Sequence, residues 1–174
     1  MCGIAGIVNF NHKKVTLNNL KEMTNSMIHR GPDDDGFYID KSFGIAMRRL
    51  SIIDVKGGHQ PISNEMGNIH LVMNGEIYNF LELRKKLISR GHRFKTGSDV
   101  EVLIHLYEEK GTKALDDLNG MFAFALYDSI KKIIWVGRDR LGIKPFFYVI
   151  NKNYFVFASD IKSIRKFHKS KISH

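Results

Sequence analysis

The sequence predicts an α+β fold with mainly antiparallel sheets, and three observations point there. Apolar, β-branched runs gather early, over 2–10 and 43–73, and again late, over 121–158, while most of the helical periodicity lies between them. Strands, then helices, then strands is the order of segregated layers rather than of alternating βαβ units. No G-x-G-x-x-G run and no phosphate-binding loop occurs, which removes the usual signatures of a nucleotide-binding parallel sheet. A length of 174 residues, 43% hydrophobic and 26% charged, suits one soluble domain with a sizeable core.

Taken in order, residues 2–10 are rich in apolar and β-branched side chains and form a strand. Leu17, Leu20, Met23 and Met27 recur at roughly helical spacing, so 16–29 is an amphipathic helix with Thr16 at its N-cap and its methionines in the core. Residues 30–36, RGPDDDG, combine Pro, Gly and three acids and are assigned to a loop. A strand over 43–49 runs into LSIIDV, Gly57-Gly58 marks a turn, and an apolar strand over 69–73 stops at Asn74-Gly75. A helix over 78–89 turns Leu83 and Leu87 inward and ends at Gly91. Ser98-Asp99-Val100-Glu101 has the S-x-x-E form of a capping box. It opens a helix that carries Val102, Leu103, Leu106 and Tyr107 and ends at Gly111. Strands over 121–127, 133–138, 146–149 and 154–158 follow, with short turns at 128–132 and 151–153, and 160–167 is a terminal helix. The chain divides into a domain over 1–165 and a basic tail over 166–174.

The net charge is +9, and residues 161–174 contribute Lys162, Arg165, Lys166, Lys169 and Lys171 with no acid. A nucleic-acid reader pairs a basic face with groups that read or stack on bases. Here the excess is a lysine-rich tail plus scattered lysines, which suits a solvated or partner-docking segment, so no nucleic acid is expected. No apolar run reaches spanning length, so no membrane is expected either. The first ten residues lack the basic n-region and cleavage site of a signal peptide. A single cysteine leaves no intramolecular disulfide and no multi-cysteine zinc site, which fits a reducing, cytoplasmic setting. The aspartates Asp33, Asp34 and Asp35 match no calcium-loop spacing and the eight histidines show no metal-ligand spacing along the chain, so no metal is expected.

The lone cysteine is Cys2, directly behind Met1. Met1 is expected to be trimmed before so small a residue, leaving a thiol and a free α-amine on one residue. The thiol is a good nucleophile but mostly protonated near neutrality, and an α-amine of pKa ~8 can take and return its proton. The alternative is a small buried hydrophobe. Four stretches offer it complementary chemistry. Arg49, in Arg49-Leu50-Ser51-Ile52-Ile53, can hold a carboxylate through two parallel hydrogen bonds, or lie on the surface. Asn74-Gly75-Glu76 can supply a side-chain amide and a closely approachable backbone N–H to an oxyanion, or simply be a hairpin turn. Asp99 can bind an ammonium or only cap a helix. Arg30 can brace the site.

The runs MCGIAGI, HRGPDDDG, RLSIIDV, NGEIYN, TGSDVEVL, GMFAFALYD and RDRLGIKPFFY, in this order, resemble class II glutamine amidotransferase domains. They are most similar to the N-terminal glutaminase domain of glutamine-dependent asparagine synthetase. The resemblance covers nearly all of residues 1 to about 165. It implies an N-terminal-nucleophile hydrolase fold, a four-layer α/β/β/α sandwich. It implies that Cys2 attacks the side-chain amide of L-glutamine and releases ammonia, its α-amine shuttling the proton, and that water hydrolyses the γ-glutamyl thioester to glutamate. Asn74 and the backbone N–H of Gly75 match the family's oxyanion hole. Arg49 matches the holder of the α-carboxylate, and Glu76 and Asp99 match those of the α-ammonium. Main-chain groups of Leu50, Ser51, Ile52 and Ile53 match the pocket wall.

The ammonia would pass to a synthetase domain or subunit that makes asparagine from aspartate. That part of the family, with its serine-glycine-rich pyrophosphate loop, is absent from this sequence. ATP and magnesium are expected only there, with no cofactor in this domain. Two other readings stay open: an amidotransferase for another acceptor, such as a surface sugar or an antibiotic precursor, and a non-catalytic glutamine-binding module. A homo-oligomer is allowed without being required. Met47-Arg48 stands where some relatives have His-Glu, so Arg48 is expected to alter the charge of the pocket, and Asp160 follows Ser159 where a glutamate is common.

Overall fold

A computed structural model describes residues 1–52, 54 and 57–168. The elements are β1 (Gly3–Asn9), α1 (Leu17–Asn25), β2 (Asp34–Asp40), β3 (Phe43–Arg49), β4 (Ile62–Ser63), β5 (Ile69–Ile77), α2 (Phe80–Ser89), α3 (Glu101–Lys110), a 3-10 segment over Gly111–Asp117, β6 (Gly120–Asp128), β7 (Ile133–Arg138), β8 (Phe147–Ile150), β9 (Tyr154–Ala158) and α4 (Ile161–His168). They build two sheets, in the orders β2-β3-β1-β9-β8 and β4-β5-β6-β7. All the pairings among the described residues are antiparallel.

Strand side chains alternate between faces, and that alternation sorts the strand residues into three apolar layers. Ile4 of β1, Ile45 and Met47 of β3, Phe157 of β9, Val72 of β5, and Ala123 and Ala125 of β6 meet between the two sheets. Their neighbours Ala5, Ile7, Ala46, Val156 and Ala158 face outward under Leu20, Met23 and Met27, and under Ile164 of α4. On the other sheet Leu71, Met73, Phe122, Phe124 and Leu126 face outward under α2, α3 and the 3-10 segment. The result is helices, sheet, sheet, helices: the segregated antiparallel class, in the α/β/β/α layering of the N-terminal-nucleophile hydrolase type.

Several local expectations are corrected. The early helix is α1 alone and stops at Asn25, where Ser26 Oγ donates back to the Met23 carbonyl at 2.7 Å. Leu17, at its first turn, is exposed, while Met27, beyond its end, stays buried. Thr16 does cap α1, and with Asn19 it forms a reciprocal capping box. The box expected at Ser98 and Glu101 does not form, because Ser98 Oγ accepts from Val100 N–H and Glu101 bonds back to Lys95 and Thr96. Residues 34–36, assigned to a loop, open the edge strand β2. Asp35 faces solvent there, which an edge position tolerates. Asn74-Gly75 is not a turn: β5 runs straight through it to Ile77, paired with β6 along its whole length. α4 extends to His168, and the rest of the basic tail, 169–174, lies outside the described residues.

Candidate active site

The strand ends gather at one end of the inter-sheet layer. Cys2 lies just before β1 and packs against that layer. Leu50, just past β3, brackets the sulfur: its N–H donates to Cys2 Sγ at 3.4 Å, and the thiol donates to its carbonyl at 3.6 Å. Arg30 Nε donates to the Cys2 carbonyl at 3.1 Å. Asp33 accepts the Ser51 N–H at 2.8 Å and ties the aspartate-rich segment to the strand exit.

Arg49 and Asn74 share the inner face by parity, Arg49 with Met47 and Asn74 with Val72. Both are buried. Arg49 Nη2 donates to the Asp54 carbonyl at 2.7 Å. Gly58 passes so close that a Cβ there would stand 2.4 Å from the same nitrogen. The Asp54 carboxylate in turn accepts the N–H groups of Gly57 (2.9 Å) and Gly97 (2.7 Å), joining this loop to the one that carries Asp99. Asn74 Nδ2 is buried and has no hydrogen-bond partner among the described residues. Gly75 adopts φ +157°, and a Cβ there would lie 2.1 Å from the Met121 carbonyl.

Asp99 is buried and its Oδ2 accepts the Ile77 N–H at 2.8 Å, which fixes it to the end of β5 beside Glu76. Burial raises the pKa of its carboxyl and the nearby Glu76 charge adds to this, against the N–H groups of Ile77, Asp99 and Val100.

These groups line one cavity of about 310 Å³, which brings together Cys2, Arg49, Leu50, Ile52, Asn74, Gly75, Glu76 and Asp99. Ser51 is not on its wall, and Ile53 lies outside the described residues. Arg48, expected to change the pocket's charge, does not line it. Its parity turns it away from Arg49, and it bonds the Gly31 carbonyl and Asp35 instead. Among the wall residues that reading the sequence did not assign to the site are Gln60 and Lys144. Gln60 is buried and pairs with Met73 like a short strand, its Oε1 accepting the Met73 N–H at 2.7 Å and its Nε2 donating to the Met73 carbonyl at 3.3 Å. Lys144 is buried, its N–H held by Asp139 Oδ2 at 3.1 Å. The run RDRLGIKPFFY contained that signal: an acid five residues before a lysine, across a glycine turn. The cavity thus sets two cations, Arg49 and Lys144, and two acids, Glu76 and Asp99, around a thiol and the Asn74 side-chain amide. That charge pattern complements a small zwitterion.

Among the described residues no helix is long and apolar enough to cross a membrane. The whole chain, residues 1–174, matches the family model described as a glutamine amidotransferase domain. It is 48% identical over 167 residues to asparagine synthetase [glutamine-hydrolyzing] 2 of Bacillus subtilis, covering 94% of this chain and 22% of that one. It is 44% identical over 166 residues to asparagine synthetase B [glutamine-hydrolyzing] of Escherichia coli, covering 94% and 30%. The chain therefore spans less than a third of the length of either relative. In fold it is similar to glutamine phosphoribosylpyrophosphate amidotransferase from B. subtilis, with a TM-score of 0.79 at 21% identity over 95% of this chain and 43% of that one. Matched from end to end, the chain belongs to the glutamine amidotransferase domain family.

Proposed function

We propose that the chain hydrolyses L-glutamine to glutamate and ammonia, as the glutaminase unit of a glutamine-dependent asparagine synthetase. Removal of Met1 leaves the Cys2 nitrogen as an α-amine. That amine takes the thiol proton while sulfur bonds the side-chain carbonyl carbon of glutamine, and the carbonyl electrons move to oxygen. Asn74 Nδ2 and the Gly75 N–H donate to this oxyanion. The tetrahedral centre collapses, the C–N bond breaks, and the nitrogen takes the proton from the α-ammonium and leaves as ammonia. Water, its proton passing to the same amine, then attacks the thioester. The C–S bond breaks and sulfur regains a proton. Arg49 holds the substrate α-carboxylate, Glu76 and Asp99 hold its α-ammonium, and Arg30 positions Cys2.

The observation that carries this reading is Asn74 Nδ2, a buried donor without a partner among the described residues, on the wall of the cavity that holds Cys2. A buried unpaired donor costs about 1–3 kcal/mol, a cost that a ligand oxygen would relieve. Aspartate as the ammonia acceptor is supported by the names of the relatives, whose length this chain covers only in part. The domain would work beside a synthetase part that alone needs ATP and magnesium, in the cytoplasm, where a free thiol stays reduced.

The test is intact mass together with glutamate release from glutamine, with Cys2→Ala as control. Expected are a mass lacking Met1 and turnover only with Cys2 present. Folded protein that lacks Met1 yet neither turns over nor binds glutamine would refute the assignment. Joined to a synthetase part, Cys2→Ala should abolish glutamine-dependent asparagine formation and spare formation from free ammonia.

A further inference from the structure

On the outer helical layer, three side chains bring donor atoms to one point. His105 and Glu108 stand one turn apart on α3 and share a face. His92 comes from the segment just after α2. His105 Nδ1 is 3.1 Å from His92 Nδ1 and 2.9 Å from Glu108 Oε2, and His92 Nδ1 is 3.4 Å from the same oxygen. A tetrahedral zinc ion with bonds of ~2.0–2.1 Å sets its ligand atoms about 3.3 Å apart. Protons suit this triangle less well. Two facing ring nitrogens need one N–H and one lone pair, and an N–H divided between His92 and Glu108 leaves the third edge unbonded. A cation satisfies all three edges at once.

The atoms around the triangle are arranged as they are behind metal-bound histidines. Asn64 Nδ2 donates to Glu108 Oε1 at 2.8 Å, fixing the carboxylate and leaving Oε2 for the centre. His92 Nε2 lies 3.3 Å from Glu109 Oε1, and His105 Nε2 lies 3.8 Å from Glu101 Oε1 with no hydrogen-bond partner among the described residues. Each ring thus has a carboxylate behind the nitrogen that faces away from the centre, the carboxylate–histidine–metal pattern. His105 is buried, while His92 and Glu108 reach solvent, which gives an ion a path in and a water the fourth position.

We propose that His92 Nδ1, His105 Nδ1 and Glu108 Oε2 bind one divalent transition ion of the zinc type. Two imidazoles and one carboxylate select such an ion over calcium or magnesium, which take all-oxygen shells. The ion clamps the segment after α2 to α3. Glu101, behind His105, also accepts the N–H groups of Lys95 (2.7 Å) and Thr96 (2.8 Å), so the clamp steadies the stretch leading to Asp99. The site needs neither Cys2 nor glutamine, so its success or failure is independent of the glutaminase reading.

The competitor is a proton. Burial lowers the His105 pKa, but Glu101 and Glu108 carry it up to about 9, so the titration is run at mildly alkaline pH. Chelator-treated protein carrying Cys2→Ala, which removes the only thiol, is titrated with zinc chloride and with cobalt(II). Expected are one zinc per chain retained through desalting, a rise in Tm with zinc, and a tetrahedral cobalt absorption band. His92→Ala and Glu108→Gln should each weaken binding at least ~100-fold, and Glu109→Gln about 10-fold. Circular dichroism checks that these solvent-reaching positions leave the fold intact. Absence of retained zinc in the parent protein, or uptake unchanged in His92→Ala and Glu108→Gln, overturns the proposal and leaves the cluster to protons and ion pairs.

Discussion

Asn74 and Asp99 are both buried polar residues, and the fold treats them differently. Asn74 Nδ2 has no partner among the described residues, whereas Asp99 is held by the Ile77 N–H. Asn74→Ala removes an unpaired donor, so stability should change little or rise slightly, while loss of an oxyanion donor should lower kcat by ~10²–10³. Glutamate release and a thermal melt on one sample check both halves, and unchanged kcat would remove Asn74 from the mechanism. Asp99 sets a pH dependence. Its raised pKa means that it takes up a proton at a higher pH than a free aspartate does, and a neutral Asp99 lacks the charge that holds an ammonium. The KM for glutamine should therefore rise as pH falls through that raised pKa, and Asp99→Asn should raise KM throughout and flatten the profile. The stability sign is opposite. A carboxyl whose folded pKa is raised contributes stability below its unfolded pKa and loses it as pH rises through the folded one, so the fold favours the form that the site cannot use. Cys2 and Arg49 were legible because their chemistry is local. Asn74-Gly75 was ambiguous because the same dipeptide closes hairpins. Gln60 was illegible because it reaches the cavity through a partner farther along the chain, Met73, whereas Lys144 was legible in principle, through Asp139 five residues before it across a glycine turn.

β5 is the element on which the site depends, since it carries Asn74, Gly75 and Glu76 in register with β6. At Gly75 a side chain would meet the Met121 carbonyl at 2.1 Å and the Phe122 backbone at 2.6 Å. Gly75→Ala should thus push β5 off β6, costing about 2 kcal/mol or more and lowering Tm by roughly 5 °C or more. It should also remove turnover in the protein that remains folded, because the Gly75 N–H moves with the strand. A melt and a kcat measured well below Tm separate the two effects, and a variant with parental Tm would contradict the packing argument. The apolar strands and the Gly-terminated helices could be read from pattern alone. β2 could not, because its acids look like a loop until β3 supplies the partner strand. The S-x-x-E run at 98–101 misled for a related reason: Glu101 has two competing backbone donors upstream, at Lys95 and Thr96, and bonds to those.

At the scale of the whole molecule, the position of Cys2 depends on how the two sheets pack, and adjacent residues of β9 test that dependence. Phe157 points between the sheets, stacked on Phe146 at 5.2 Å and pressed over Gly6 of β1, where a Cβ would meet its ring at 2.2 Å. Val156 points the other way, into the layer under α1 and α4. Both are fully buried, so both alanine variants lose stability. Phe157→Ala should cost about 3–5 kcal/mol, or very roughly 10 °C in Tm for a domain of this size. Val156→Ala should cost about half as much, in proportion to the smaller volume removed. Activity should split them further. The Phe157 ring supports β1 opposite Gly6, and β1 sets where Cys2 stands relative to Asn74 on the facing sheet. A cavity there lets one sheet settle toward the other, and a misplacement on the order of 1 Å is enough to cost ~10²-fold in rate. Measured well below both melting temperatures, kcat should fall in Phe157→Ala and hold in Val156→Ala. If kcat were equal in the two variants, the alignment of Cys2 with Asn74 would be fixed locally, by the Leu50 and Arg30 contacts to Cys2, rather than by the spacing of the sheets.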